Sequence, residues 1–345
     1  MKACVLSDWK HLEIQELPLP ELSNGEALIE VIYGGVCGSD VTVTNHKHPT
    51  ATIPRILCHE ILGIVKEIKS EEPVNYRVGD RVVVFPLSYC GECVPCLTGH
   101  TSACSHLRIA GVHSDGGFAE YAKFPVKSLI PVPDDIPDEI AALTEPLSVA
   151  FHANARAGTK PGDSVLVIGG GPIGLLCALT ARYFGAKVLL SELKTDRLAL
   201  ARSMGIEAVS PRETDLTAVA RKKTNGTGFD VILEVTGSQP AYDTMIELCR
   251  ECGTIVPVAI PSSERSFRTN LFILKEIHLL GTRCCPKIEF ERTVDMVREM
   301  YRHSESYHLE NMIAKILPLE QCAEGIAEQG SGSVNGKILI RIGKT

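Results

Sequence analysis

The chain of 345 residues is 44% apolar and 22% charged, with 29 glycines and 20 prolines; at roughly 150 residues per domain this is enough for about two domains with separate cores, and it excludes disordered and fibrous classes. Its 35 basic against 42 acidic side chains leave a net charge of −7. That is the wrong sign for a surface that attracts phosphate backbones or anionic lipid, so neither nucleic acid nor membrane is an expected partner.

The first eight residues, MKACVLSD, lack the apolar stretch of a secretory signal, and a cytoplasmic location is expected. Thirteen cysteines, an odd number in a reducing compartment, do not read as a disulfide framework, and metal binding is the better expectation. From residue 2 to about 133, short β-rich runs at 27–33, 61–68, 81–85 and 118–124 are cut by Gly, Pro and Asp and predict an irregular β domain. Beyond it, apolar strands at 165–168, 187–190, 230–235 and 254–259 alternate with helical segments such as 172–184 and 197–204. This is the pattern of βαβ units in a parallel sheet. The uncharged run 164–181 resembles a membrane span, but the glycine cluster at 169–174 breaks it. A Gly/Ser-rich turn at 330–336 precedes a last apolar strand at 337–342.

Three motifs carry chemistry. Cys90, Cys93 and Cys96 followed by Cys104 offer four thiols from one loop, which suits a closed, structural Zn²⁺ site in a segment with little apolar material of its own. The alternatives are free thiols or an iron–sulfur cluster, although ferredoxin-type runs place the fourth Cys after three residues and before Pro. Next, Cys37-Gly38-Ser39-Asp40, Cys58-His59-Glu60 and Thr144-Glu145-Pro146-Leu147 together supply the thiolate, imidazole and carboxylate of an open, catalytic zinc; the competing reading is packed core residues. Finally, a strand at 165–168 leads into Gly169-x-Gly171-x-x-Gly174 and a helix, and Glu192 ends the following strand 18 residues after Gly174. Pyrophosphate suits that helix N-terminus and ribose hydroxyls suit the acid; the alternative is a glycine-rich turn of another α/β protein.

These residues resemble the zinc-dependent medium-chain dehydrogenase/reductase family, the alcohol and polyol dehydrogenases, over essentially the whole chain. Segments 79–82 (GDRV), 115–121 (DGGFAEY) and 145–149 (EPLSV) add to the likeness, and Glu145 resembles the sorbitol, threonine and sugar-acid branch, including galactonate, gulonate and idonate 5-dehydrogenases. The resemblance implies an α/β plus β architecture: a GroES-like catalytic domain over 1–149 and 283–345, and a doubly wound, parallel-sheet Rossmann domain for NAD over 150–282. It implies two zinc ions per chain. Cys37 and His59 are then ligands, Glu60 an exchangeable ligand, and Glu145 a ligand or water-mediated partner. Ser39 takes the alcohol proton, and Pro172, Ile173 and Arg197 join Gly169, Gly171, Gly174 and Glu192 around the cofactor. The implied reaction is oxidation of a secondary hydroxyl of a sugar acid or polyol to the ketone, by zinc-alkoxide formation and hydride transfer to NAD. A homo-oligomer, dimer or tetramer, is implied as well.

The sequence departs from the family at Cys58, where Gly is usual, and at Thr42, where liver-type enzymes carry a relay His. Arg283 aligns with the Arg of an Arg–Tyr pair in sorbitol-type enzymes, without the Tyr. It is expected to meet a substrate carboxylate or hydroxyls, or to pair with a protein acid such as Glu145. The alternatives to the sugar-acid reading are a simple secondary-alcohol or threonine-type dehydrogenase and, outside enzymes, a zinc-stapled nucleotide-binding scaffold or redox sensor.

Overall fold

The structure, a computed structural model, describes residues 1–343. Chain contacts divide it into two compact units, Met1–Glu145 with Pro286–Tyr301 and Met312–Thr345, and Pro146–Cys285 with Arg302–Asn311.

The first unit is built on strand Glu26–Gly35, whose apolar sequence is buried on both faces over most of its length. It pairs antiparallel with Glu60–Lys69, Tyr121–Pro125 and Lys337–Arg341. Arg81–Val84, Leu129–Pro131 and Ile313–Pro318 extend the sheet to seven strands. Ile29, Val31, Leu57, Ile61, Val82, Phe118 and Ile338 form its core, all nearly or fully buried. Register matters for function here. Gly35 lies opposite both Glu60 and Leu339, and a Cβ at Gly35 would come within 2.1 Å of Glu60 Oε2. Only glycine lets that carboxylate fold back over the strand.

The second unit is a six-stranded sheet of Ser164–Ile168, Lys187–Ser191, Glu207–Val209, Phe229–Glu234, Cys249–Pro257 and His278–Leu279, all in parallel pairs. Numbered by sequence, their spatial order is 3-2-1-4-5-6, the doubly wound order that leaves a crevice beyond the carboxyl ends of strands one and four. After Ser164 the strand Ser164–Ile168 (SVLVI) is wholly apolar and buried, because helices cover both faces of such a sheet. Helix Pro172–Tyr183 buries eight of its twelve residues. It sits so close to the strand before it that a Cβ at Gly174 would lie 1.9 Å from Gly169 O.

Residues 283–285 and segment Arg302–Asn311 fall in this second unit, whereas the boundary expected from sequence put everything from 283 onward in the first. For the segment the cause is local: the Arg182 guanidinium lies 5.6 Å over the Tyr307 ring, and Asn311 Nδ2 donates to Ser203 O at 3.3 Å. No helix of the described residues is long and apolar enough to cross a membrane.

Candidate active site and nucleotide site

The cysteine lobe brings Cys90, Cys93, Cys96 and Cys104 together, with all four sulfurs within 4.8 Å of one another. Individual separations are 3.5 Å for Cys93–Cys96 and Cys90–Cys104, 3.8 Å for Cys93–Cys104 and 4.0 Å for Cys90–Cys96. Zn–S bonds of about 2.3 Å in a tetrahedron place sulfurs about 3.8 Å apart, so the cage fits one zinc ion. Thiolates that embrace a multi-iron cluster must stand farther apart. Backbone N–H groups of Cys96 and Ser105 bring the Cys93 thiol down to about 6. Those of Cys90 and His106 lower Cys104. Burial pushes Cys96 up to about 12. Val94 and Leu97 on the lobe are each 73% exposed, and a metal supplies the cohesion that apolar packing does not.

The second group lies in the same unit. Cys37 precedes helix Gly38–Thr44, His59 immediately precedes strand Glu60–Lys69, and Glu60 opens it; the ligand atoms of the three lie within 4.8 Å of one another. A buried aspartate joins the two segments. Asp40 Oδ2 accepts from Cys37 N at 2.8 Å and Oδ1 from Cys58 N at 3.2 Å. Glu60 is held by a buried lysine, whose Nζ donates to Glu60 Oε1 at 2.6 Å and to Val36 O at 2.7 Å. The other oxygen, Glu60 Oε2, is buried without a hydrogen-bond partner. A buried orphan acceptor beside a thiol and an imidazole is costly unless a cation satisfies it, so the donor set fits zinc.

Considering protein groups alone, burial opposes a charge on His59, but the charge and hydrogen bond of Cys37, with Glu145 and Asp40, raise its pKa well above the usual range. A bound metal takes the place of that proton. Ser39 Oγ lies 3.5 Å from His59 Nε2. Glu145, at the start of helix Thr144–Ala157, stands outside the three-ligand group but within its field. Desolvation, then Glu60 and Asp40, push its carboxyl up to about 7 against the pull of His59 and Lys337.

Cys58 also stands outside the ligand group. It takes a left-handed φ of 85°, the reason glycine suits the position, and its Sγ donates to Glu60 O at 3.3 Å and Gly35 O at 3.6 Å. Thr42 Oγ1 donates to Gly38 O in its own helix at 3.0 Å. His46 stacks on Trp9 with ring centres 4.0 Å apart, and Thr50 Oγ1 meets His113 Nε2 at 2.8 Å.

In the second unit, Gly169 has φ 111°, and Gly171 caps helix Pro172–Tyr183, with Pro172 and Ile173 in its first turn. Glu192 is 8% exposed. Its Oε2 accepts from Gly170 N at 2.6 Å, and its Oε1 from Leu193 N at 2.6 Å and Lys194 N at 2.9 Å. Arg197 Nη1 lies 3.9 Å from Glu192 Oε2 and is the nearest group to a Cβ built on Gly171, at 3.8 Å. A cavity of about 380 Å³ opens beside them, lined by Gly169, Glu192, Leu193, Pro211, Thr236 and others. Arg283, in the same unit, is exposed.

Sequence reasoning assigned no role to Asp40, Lys337 or the Thr236 wall of the cavity. A lysine opening the apolar strand KILIR was the available signal for Lys337.

Two family models match the chain, the alcohol dehydrogenase GroES-like domain over residues 23–134 and the zinc-binding dehydrogenase over 172–299. The 2-dehydro-3-deoxy-L-galactonate 5-dehydrogenase of Pseudoalteromonas atlantica is 34% identical over 317 residues, 92% of this chain and 91% of that protein. The L-threonine 3-dehydrogenase of Chelativorans sp. is 38% identical over 275 residues, 78% of this chain and 79% of that one. A crystal structure of an alcohol dehydrogenase of Escherichia coli CFT073, complexed with cofactor NADH, superposes with a TM-score of 0.89 at 26% identity, covering 99% of each chain. With a cysteine cage, a Cys–His–Glu group and a dinucleotide fingerprint on a matching fold, the chain belongs to the zinc-dependent medium-chain dehydrogenase/reductase family of alcohol dehydrogenases.

Proposed function

We propose that the chain oxidises a secondary hydroxyl of a sugar acid or polyol to the ketone, with NAD as hydride acceptor. The observation that carries this reading is the contrast between four sulfurs that close around one position and a three-donor group that leaves a position open. When bound, zinc supplies Lewis acidity at the substrate hydroxyl, and NAD supplies the redox chemistry.

The chain's own residues do the rest. Cys37 and His59 hold the metal, and Asp40 fixes the segments that carry them. Lys337 occupies one oxygen of Glu60 and leaves Oε2 for the metal side. Ser39, beside His59 and only half-buried, accepts a hydrogen bond from the substrate hydroxyl and hands its own proton to solvent as it takes the substrate's; Thr42, turned onto its own helix, is not poised to carry that proton. The first turn of helix Pro172–Tyr183 takes the pyrophosphate, where its unpaired N–H groups favour negative charge. Glu192 accepts from the ribose hydroxyls and repels a 2′-phosphate, which favours NAD over NADP.

Arg283 supports a carboxylate-bearing substrate. An exposed planar fork suits a carboxylate better than a neutral hydroxyl. A threonine-type substrate, which also carries a carboxylate, is the second reading, and the likeness to a threonine dehydrogenase favours it. The test is Arg283→Ala: its cost in affinity for a hexonate is expected to be about 1.5–3 kcal/mol, the range for hydrogen bonds to charged groups, and much less for the matching hexitol. Equal losses for acid and alcohol would leave the polyol reading and remove the acid one.

A further inference from the structure

Glu234 ends strand Phe229–Glu234 and is fully buried, yet neither the metal groups nor the dinucleotide fingerprint uses it. Its carboxylate faces back onto the turn that follows. Oε1 accepts from Thr236 N at 2.7 Å, from the Thr236 hydroxyl, and from Gly237 N at 2.9 Å, while Oε2 accepts from Gly237 N at 3.1 Å. The Thr236 hydroxyl in turn accepts from Ser238 N at 3.0 Å, and Val235 N donates to Ile168 O at 2.9 Å. Every amide of the turn 235–238 is therefore committed, three of them through one carboxylate and the hydroxyl bound to it.

The same residue ties down the neighbouring loop. Its main-chain oxygen accepts from Val258 N at 2.7 Å, just past the end of strand Cys249–Pro257. Arg265 Nε closes the arrangement from the other side by donating to Gly237 O at 2.6 Å. The consequence appears at the cavity. A Cβ at Gly169 would lie 2.7 Å from Thr236 Cγ2, so the methyl of Thr236 packs directly on the first glycine of the fingerprint. Thr236 and Ser238 line the same 380 Å³ space as Gly169 and Glu192.

We propose that Glu234 is a positioning residue for the dinucleotide: it sets the turn 235–238 in place before the cofactor arrives, so that binding does not have to order it. This rests on the reading of the cavity as the NAD site. Preorganisation of this kind acts on affinity, because the ordering cost is met in the free protein, and leaves the chemical step unchanged. A role confined to stability would lower the melting temperature and leave affinity for NAD unchanged.

The test is calorimetric titration of NAD into the zinc-loaded protein and two variants, with steady-state kinetics alongside. Glu234→Gln removes the charge, keeps one carbonyl acceptor for the bonds made to Oε1, and sets an N–H donor in place of Oε2 against the Gly237 amide, which already donates. It is expected to weaken NAD binding about tenfold and raise the KM for NAD in step, with kcat at saturating NAD within about twofold of the parent. Thr236→Val keeps the methyl on Gly169 and removes only the hydroxyl, and about a threefold loss is expected. Unchanged NAD affinity in both variants, or a fall in kcat with no change in KM for NAD, would overturn the proposal. Should Glu234→Gln fail to fold, Thr236→Val and hydrogen exchange of the parent protein decide it. The amides of Thr236 and Gly237 are expected to be protected before NAD is added, and protection that appears only with NAD would count against the proposal. Absence of NAD binding by the parent protein would instead remove the functional reading beneath it, and the proposal with it.

Discussion

Replacing Lys337 by Met isolates the contribution of the buried lysine to the candidate metal site. The side chains of Lys337 and Glu60 are 3% and 1% exposed and their charged atoms lie 2.6 Å apart. Met keeps the aliphatic stem and most of the volume, so the principal loss is the ammonium group, which also releases Val36 O. Breaking a buried pair by removing one partner costs about 3–5 kcal/mol, because the remaining charge is left without compensation in a medium that solvates it poorly. A cation on the metal side of Glu60 offsets part of this, so the lower end, about 3 kcal/mol, is expected. The chain contains a single tryptophan. Trp9 lies in the first unit, so its fluorescence during urea unfolding follows the unit that contains the pair. A double-mutant cycle completes the test: Glu60→Gln removes the charge that needs Lys337, so the double variant should be markedly less destabilised than the sum of the two single ones. Additive losses, or a Lys337→Met variant as stable as the parent, would refute the argument that these two groups hold each other.

Metal analysis should find two zinc ions per chain. Cys93→Ser is expected to lose one equivalent and destabilise the fold, whereas Cys37→Ser loses the other and stays folded; equal loss of fold in both would contradict the division of roles. Kinetics should show NAD preferred to NADP, and Glu192→Ser should narrow the gap; a parent protein that uses both equally would remove Glu192 from that role. Asp230 gives a pH dependence. Burial works against its charge, but Ser164 N at 2.8 Å and Arg250 Nε at 2.6 Å more than offset this and hold its carboxyl below the usual range. A lowered carboxyl stabilises the fold above the unfolded value of about 3.9, and that contribution is lost as pH falls through the lowered native value. The urea midpoint should therefore fall as pH is taken below about 4, and Asp230→Asn should flatten the fall.

The parts of the site that were legible in the sequence are those whose chemistry is local. Gly169, Gly171 and Gly174 face one helix turn, and Cys90 to Cys104 occupy one lobe, so spacing alone carries their geometry. Asp40 and Lys337 were not legible in the same way. Lys337 reaches Glu60 across 277 residues of sequence, and only the pairing of Gly35 with both Leu339 and Glu60 brings them together. Glu234 was opaque for another reason: its side-chain partners are the main chain of the turn that folds back over it, which no side-chain pattern announces. Cys58 stands where the family usually carries Gly, and its consequence was not legible in the sequence. Its left-handed backbone and hydrogen bonds to Gly35 O and Glu60 O direct the sulfur to main-chain carbonyls. The placement of Arg302–Asn311 with the nucleotide-binding unit depends on Tyr307 beneath Arg182, a contact that no local pattern announces.

The most direct test of the central claim is NADH formation, followed by its absorbance, from NAD and a panel of hexonates, hexitols and threonine, with the parent protein and Cys37→Ser side by side. Turnover by the parent on at least one hexonate or hexitol, and none by a folded Cys37→Ser variant that keeps the zinc of its cysteine lobe, is the predicted result. No NADH from any member of the panel, or turnover by Cys37→Ser equal to that of the parent, would contradict it.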